Sequence, residues 1–290
     1  MTGNSEFIQL RDTVIQGVEL FEARLVKHRF SRHFHDTYTI GLNEGGLGQC
    51  LHGSNRHHHR PGMFTCINPG EVHTGEAVSE SGWKFRNLYI SQAVARYSLS
   101  ELGYPTNRAL PCFPQISVED VPAQRLFNRL FAVLEKSEDF STELSESSLE
   151  QQSLLLHFFS RFFAKHTRLP DIGSRGRSVE TQPIVKVRAY IEARCTDNFS
   201  IQDLAELVNL NPYYLIRCFR EQVGTSPHQY KLHWQLQRAK RAVLKADASI
   251  AAVAADCGFY DQSHLTRIFK RALGVSPGRY REVNFVQARR

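Results

Sequence analysis

The sequence predicts a multidomain chain of mixed α and β structure: an N-terminal β-barrel with two following helices, then an all-α domain of two helix-turn-helix units joined by a long helix. Three observations carry this. Short alternating runs broken by turn residues fill the first third, two segments of helical period follow, and the last third holds an internal repeat of about fifty residues.

In order along the chain, residues 18–115 are rich in His, Gly, Pro and aromatics. Runs such as Tyr38–Leu42 and Met63–Ile67 read as strands, punctuated at Asn43–Gly46, Gly53–Asn55, Pro61-Gly62 and Asn68–Gly70. The barrel and its entry are assigned to residues 1–120. Over 121–167 the period changes. Leu126, Phe127, Leu130, Phe131 and Leu134 mark one amphipathic helix, and Leu154, Leu155, Phe158, Phe159, Phe162 and Phe163 a second. This helical pair is expected either to pack on the barrel or to form a dimerisation surface. Residues 168–182 are polar and aperiodic, which predicts a linker.

The C-terminal domain is assigned to 183–290, where the repeat lies. One copy runs from Ser200 through Ala205, Leu210, Phe219 and Gly224 to Tyr230; the other runs from Ser249 through Ala254, Phe259, Phe269 and Gly274 to Tyr280. The offset is 49 before the turn and 50 after it, so the second turn carries one extra residue. Ser200 and Ser249 suit N-caps, and Asn211 and Asp261 suit caps of the second helices. The small Ala205 and Ala254 fall where two helices cross steeply. Between the copies, Pro227 to about Lys245 reads as one continuous helix of roughly 27 Å, comparable with the ~34 Å between successive major-groove windows.

Charge divides along the same line. Residues 183–290 hold 17 Lys/Arg against 9 Asp/Glu, so the whole net charge of +7 belongs to the C-terminal domain. That asymmetry predicts a polyanion partner for this domain alone. Two repeats are also too few for a solenoid, and a solenoid has no reason for a basic face. Arg217, Arg220, Arg267, Lys270 and Arg271 lie on or near the second helix of each copy, which points to duplex DNA. The six cysteines are scattered without a C-x-x-C pair, which argues against a disulfide framework. Met1–Gln9 lacks a signal-peptide pattern and no apolar run suits a membrane span, so a cytoplasmic protein is expected.

The stretch Gly258–Tyr280, G-F-x-D-Q-S-H-L-T-R-I-F-K-R-x-x-G-V-S-P-x-x-Y, resembles the signature of the AraC/XylS family of bacterial transcription regulators, and the likeness extends over 184–284. His33-x-His35, Pro61-Gly62 and Asn68–His73 resemble that family's cupin-like sensor domain less specifically. The resemblance implies base contacts from Tyr213, Tyr214, Ile216 and Arg217 in the first copy, and from Gln262, Ser263, His264 and Arg267 in the second. Arg suits guanine and Gln suits adenine. Arg220, Lys270 and Arg271 are expected to grip phosphates. The resemblance also implies activation as the mode of regulation.

In the barrel, His33, His35 and His73 invite a metal reading. However, no carboxylate follows His35 at about four residues; Glu44 is nine away, and Glu71 is the available substitute. The expectation is therefore no metal and no cofactor, with His33, His35, Tyr38, Glu71, His73, Trp83 and Arg86 lining an effector pocket. Arg86 would meet a carboxylate. His57-His58-His59 reads as a solvated hairpin in which His52 and His58 share a face. Expected partners are double-stranded promoter DNA, a small-molecule effector (amino acid, organic acid or sugar), a second copy in a homodimer, and RNA polymerase, with no membrane. The function expected is a non-enzymatic, effector-controlled regulator. The alternative is a metal-dependent cupin enzyme fused to DNA-binding units.

Overall fold

The computed structural model describes all residues except 1–4, 14, 102, 105–109, 136–145, 169–180, 246–247 and 289–290. The chain divides into two compact units, residues 1–172 with 283–290, and residues 173–282. Most of the segment read as a linker, 168–182, lies outside the described residues. No helix among the described residues is long and apolar enough to cross a membrane.

The first unit is built from two antiparallel sheets. The strands are β1 (Phe7–Asp12), β2 (Val18–Leu25), β3 (Arg29–His33), β4 (Thr37–Gly46), β5 (Gly48–His52), β6 (Asn55–His59), β7 (Met63–Ile67), β8 (His73–Ala77), β9 (Trp83–Ser91) and β10 (Ser117–Glu119). The larger sheet has the order β1-β2-β9-β4-β7-β10 and the smaller β3-β8-β5-β6. Three helices accompany them: α1 (Gln92–Glu101), α2 (Val121–Glu135) and α3 (Glu146–His166).

The larger sheet is buried on both faces, and this governs where its side chains go. Its outer face carries Val18, Leu20, Tyr38, Ile40, Leu42, Phe64, Cys66, Leu88 and Ile90, which share one core with α2 and α3. Phe64 packs edge-on against Phe127 and Phe162, with ring centroids 5.5 and 5.0 Å apart. Phe158, Phe159, Phe162 and Phe163 are all fully buried in this layer. They therefore offer no surface to a second copy. Each such ring contributes on the order of 1.5–3 kcal/mol of burial, so this layer is the main reason the sheet holds its shape. Asp120, just ahead of α2, caps its first turn by accepting from Ala123 N, and also binds His166 and Lys165 of α3.

One expected break is not a break. Asn43–Gly46 continues β4, with a register shift between Asn43 and Gly45 where the strand bulges against β9. The Asn43 side chain replaces the lost ladder bonds: its Oδ1 accepts from Gly45 N, and its Nδ2 donates to the carbonyl oxygens of Gly46 and His59. The turns at Gly53, Gly62 and Gly70 fall between strands, each with positive φ.

The second unit contains α4 (Gln182–Ala193), α5 (Ile201–Glu206), α6 (Pro212–Val223), α7 (Pro227–Val243), α8 (Ile250–Asp256), α9 (Gln262–Leu273) and the start of α10 (Pro277–Ala288). Every junction uses the cap that the repeat predicts. Ser200 accepts from Asp203 N and Ser249 from Ala252 N. Asn211 accepts from Tyr213 N, and Asp261 from His264 N. The two copies also repeat their packing: Phe219 meets Tyr230 and Phe269 meets Tyr280, both edge-on at 5.5 Å. Ala205 and Ala254 are buried at the helix crossings. All six cysteines are free thiols.

Candidate nucleic-acid interface and ligand-binding face

In each repeat the second helix is strongly amphipathic. On α6, Leu215, Cys218 and Phe219 face the domain core, while Tyr213, Tyr214, Arg217 and Arg220 are exposed. On α9, Leu265, Phe269 and Leu273 are buried, while Gln262, Ser263, Arg267, Lys270 and Arg271 are exposed. Tyr213 is 79% exposed. The Arg217 guanidinium lies over the Tyr214 ring at 5.1 Å, which holds the two side chains as one surface. Ile216 and His264 are half-buried. His264 also braces its own turn, its Nδ1 accepting from Tyr260 N while its ring meets Phe259. The extra residue of the second turn is Tyr260, which is 92% exposed. Sequence reasoning had counted that residue without reading it as a contact.

Between the copies α7 runs for 17 residues, roughly 25 Å at helical rise. Tyr230, Leu236, Ala239 and Val243 bury its inner side. It is a rod rather than a tether, so the two second helices have a fixed spacing.

In the first unit, the face of the larger sheet opposite the helices looks toward the smaller sheet. Strand parity places Trp83, Phe85, Asn87 and Tyr89 of β9 on this inner face, with Thr39 of β4 paired to Tyr89. From the smaller sheet, His33, His73 and His52 lie in register across β3, β8 and β5. His35 follows in the β3–β4 connection, its ring 4.8 Å from Tyr89. His33, His35 and His73 converge, each offering one ring nitrogen within 4.8 Å of the others.

Electrostatics follow from burial. Desolvation, with the neighbouring His33, pushes the His73 imidazole well below the ordinary histidine range, and desolvation lowers His33 too. Both are therefore neutral at pH 7. The Nδ1 of His33 faces the Ser31 carbonyl at 2.7 Å and that of His73 the Glu71 carbonyl at 2.9 Å. A carbonyl oxygen only accepts, so each Nδ1 carries the proton. Burial pushes the Glu71 carboxyl up, but hydrogen bonds from His52 and Asn68 outweigh it and leave it below the usual carboxylate value. Glu71 thus stands beside the histidine group, engaged by His52 at 3.3 Å.

Two residues expected in the pocket are elsewhere. Tyr38 lies on the outer face, its hydroxyl donating to the Pro111 carbonyl and its ring against Phe113 and Phe163. Arg86 is also on the outer face, ion-paired with Glu44 and lying over Phe131 at 4.7 Å. The period of two puts Arg86 opposite Trp83, so the two cannot line one pocket. Trp83 is on the inner face but roughly 20 Å along β9 from Tyr89, stacked on Phe85 and His59. The hairpin histidines need correction as well. His59 is fully buried, its pKa pushed down to about 4 by desolvation, and His52 shares its face with His57, not His58.

Thr39, Asn87, Tyr89 and His59 were missed by sequence reasoning. Parity with Trp83 along β9 was the signal that pointed to Asn87 and Tyr89. Thr39 Oγ1, His59 Nε2 and Trp83 Nε1 are buried without a hydrogen-bond partner among the described residues, which costs on the order of 1–3 kcal/mol each unless something fills the need.

Comparisons with known proteins agree with this division. A family model described as AraC-like ligand binding domain matches residues 16–156, and one described as helix-turn-helix domain matches 204–282. The Arabinose operon regulatory protein of Salmonella typhimurium is 28% identical, over 84% of this chain and 83% of that protein. The transcriptional activator RhaS of Pectobacterium carotovorum is 24% identical over 94% of this chain and 98% of its own length. Among solved structures, apo ToxT of Vibrio cholerae has a TM-score of 0.59 at 13% identity, covering 92% of this chain and 98% of that chain. At that identity it shows a shared fold.

Proposed function

The chain belongs to the AraC/XylS family of transcription regulators, with a ligand-binding domain ahead of a helix-turn-helix domain, and from that premise we propose that it is a sequence-specific activator that reads promoter DNA with α6 and α9 under control of a small effector. The observation that carries the reading is the pair of capped, basic second helices joined by a rigid rod. Tyr213, Tyr214 and Ile216 would contact thymine methyl groups, Arg217, Gln262, Ser263, His264 and Arg267 base edges, and Arg220, Lys270 and Arg271 phosphates.

For the effector, the inner face offers hydrogen-bonding groups (Thr39, Asn87, Tyr89 and the histidines) beside aromatic walls. Arg86, the cation expected to meet a carboxylate, is held by Glu44 on the other face. A hydroxyl-rich neutral molecule such as a sugar therefore suits this face better than an organic or amino acid. A homodimer and a contact with RNA polymerase are carried over from the family as part of the same proposal.

The test is fluorescence anisotropy of the intact chain on the DNA upstream of its own and neighbouring genes, at two salt concentrations, with and without candidate sugars. Salt-sensitive binding confined to particular fragments and altered by one sugar supports the proposal. Equal affinity for every fragment would defeat the sequence-specific reading. Calorimetry in which a carboxylic acid binds and no sugar does would overturn the choice of effector class.

A further inference from the structure

We propose that His33, His35 and His73 hold a divalent transition-metal ion of the zinc class through their imidazole nitrogens, with at least one coordination position left open toward the barrel interior. The inference goes beyond the regulator reading, since an ion can sit there whether or not the chain binds DNA.

Three facts carry it. First, one ring nitrogen from each of the three lies within 4.8 Å of the others. Zinc–nitrogen bonds of ~2.0–2.1 Å put tetrahedral ligands about 3.4 Å apart, so closure by little more than ~1 Å completes the set. His33 lies beyond the register shift in β3, and His35 sits in the short connection after it, where backbone can make that adjustment.

Second, the rings are oriented as metal-binding imidazoles are. The Nδ1–H groups of His33 and His73 are committed to the backbone carbonyls of Ser31 and Glu71. That leaves Nε2 as the lone-pair nitrogen on each ring, with its tautomer and plane fixed from behind. The three imidazole rings crowd together with centroids 4.3, 4.9 and 5.3 Å apart. A shared cation suits that spacing.

Third, the donor set selects the metal. Three nitrogens without thiolate suit zinc, copper, nickel or iron(II), not the oxygen-seeking calcium or magnesium. The carboxylate that an enzyme-like ligand set would add is absent from the cluster. Glu71, the nearest candidate, is engaged by His52 and Asn68 and offsets the ion's charge from outside. The ligands come from β3, β8 and the β3–β4 connection, so the remaining coordination position would face the inner-face side of Tyr89, whose ring is 4.8 Å from that of His35.

The test uses the full-length chain stripped with a chelator, dialysed against zinc or cobalt(II), and measured for bound metal by plasma mass spectrometry and cobalt absorption. One equivalent per chain is expected, with a cobalt spectrum of low coordination number. His33→Gln and His35→Gln, both at half-buried positions, should weaken zinc binding at least about tenfold, with circular dichroism confirming the fold. His73→Ala should do the same. His58→Ala, exposed on β6, should leave binding unchanged. No stoichiometric metal, or one equivalent retained in the His33→Gln/His35→Gln double variant, overturns the proposal. Loss of the equivalent in the His58→Ala variant instead assigns the ion to the hairpin and overturns it too. Anisotropy on the same preparations separates the two readings: metal lost with DNA binding retained leaves the regulator standing, and the reverse leaves the metal site standing.

Discussion

The two helix-turn-helix copies are one scaffold used twice, and where they differ the difference sits on the surface. Both start on a serine cap, cross at a buried alanine, turn through a left-handed residue and lock a Phe against a Tyr at 5.5 Å. Their exposed faces diverge: Tyr213, Tyr214 and Arg217 on one, Gln262, Ser263 and Arg267 on the other. Packing constrains the inside of both copies alike, while each outside answers only to what it meets. Two copies with the same inside and different outsides suit one duplex carrying two unlike half-sites.

The turns break the symmetry most sharply. Asn209 and Gly258 occupy equivalent positions with φ of 52° and 76°. A side chain on Gly258 would sit 2.7 Å from the Thr196 carbonyl oxygen and 2.9 Å from its Cα, backbone atoms that cannot step aside. Gly258→Asn, which makes the second turn chemically like the first, should destabilise the chain by about 3 kcal/mol, combining left-handed strain with the clash. Asn209→Gly should change it by only a few tenths. Urea denaturation of the two variants measures both; equal effects would mean the turns are interchangeable.

The reader faces provide the next contrast. Arg267→Ala should cost about 1–3 kcal/mol of binding at the preferred site and relax the choice at one base pair. Arg217→Ala should cost less, about 1 kcal/mol, because Arg217 is already engaged by the Tyr214 ring and by Glu221 at 3.9 Å. Anisotropy across single-base variants of the site checks the order, and a larger loss from Arg217 would reverse the assignment of the readers.

How much of this was legible depended on how local the cause is. Caps, glycine ends and the fifty-residue period are short-range chemistry, so the C-terminal domain could be read nearly to the residue. The barrel could not. Six consecutive residues of β4, Tyr38 to Asn43, are all buried, because α2 and α3 bury the face that would otherwise be polar. Without polar alternation, nothing local says which face of Tyr38 or Arg86 points inward. Only the packing of helices a hundred residues away decides it. The histidine row across β3, β8 and β5 is hidden for the same reason, since it depends on strand register rather than on spacing in the chain.

Caps give smaller effects. Ser249→Ala removes one acceptor at the start of α8 and should cost about 1 kcal/mol. Ser200→Ala should cost slightly more, because Ser200 and Asp203 satisfy each other in a reciprocal box. Thermal melts of the two variants test the order, and a costlier Ser249→Ala would show that the box adds nothing.

The last difference is the smallest and depends on acid. Asp203 stands at the third position of α5, where its carboxylate accepts from the Ser200 backbone N–H at 2.6 Å and from the Ser200 hydroxyl at 2.9 Å. Those bonds, the backbone one first, hold its pKa below the ordinary 3.8. A depressed carboxyl contributes stability that is fully present above its ordinary pKa and is lost as pH falls through the folded value. The equivalent residue of α8 is Ala252, which has nothing to titrate. Amide exchange at the first turn of α5 should therefore quicken, relative to that of α8, as pH falls through about 4 toward about 2, once the intrinsic pH dependence common to both is divided out. If the two helix starts loosen in step through that range, the reciprocal cap is not what distinguishes the first copy from the second.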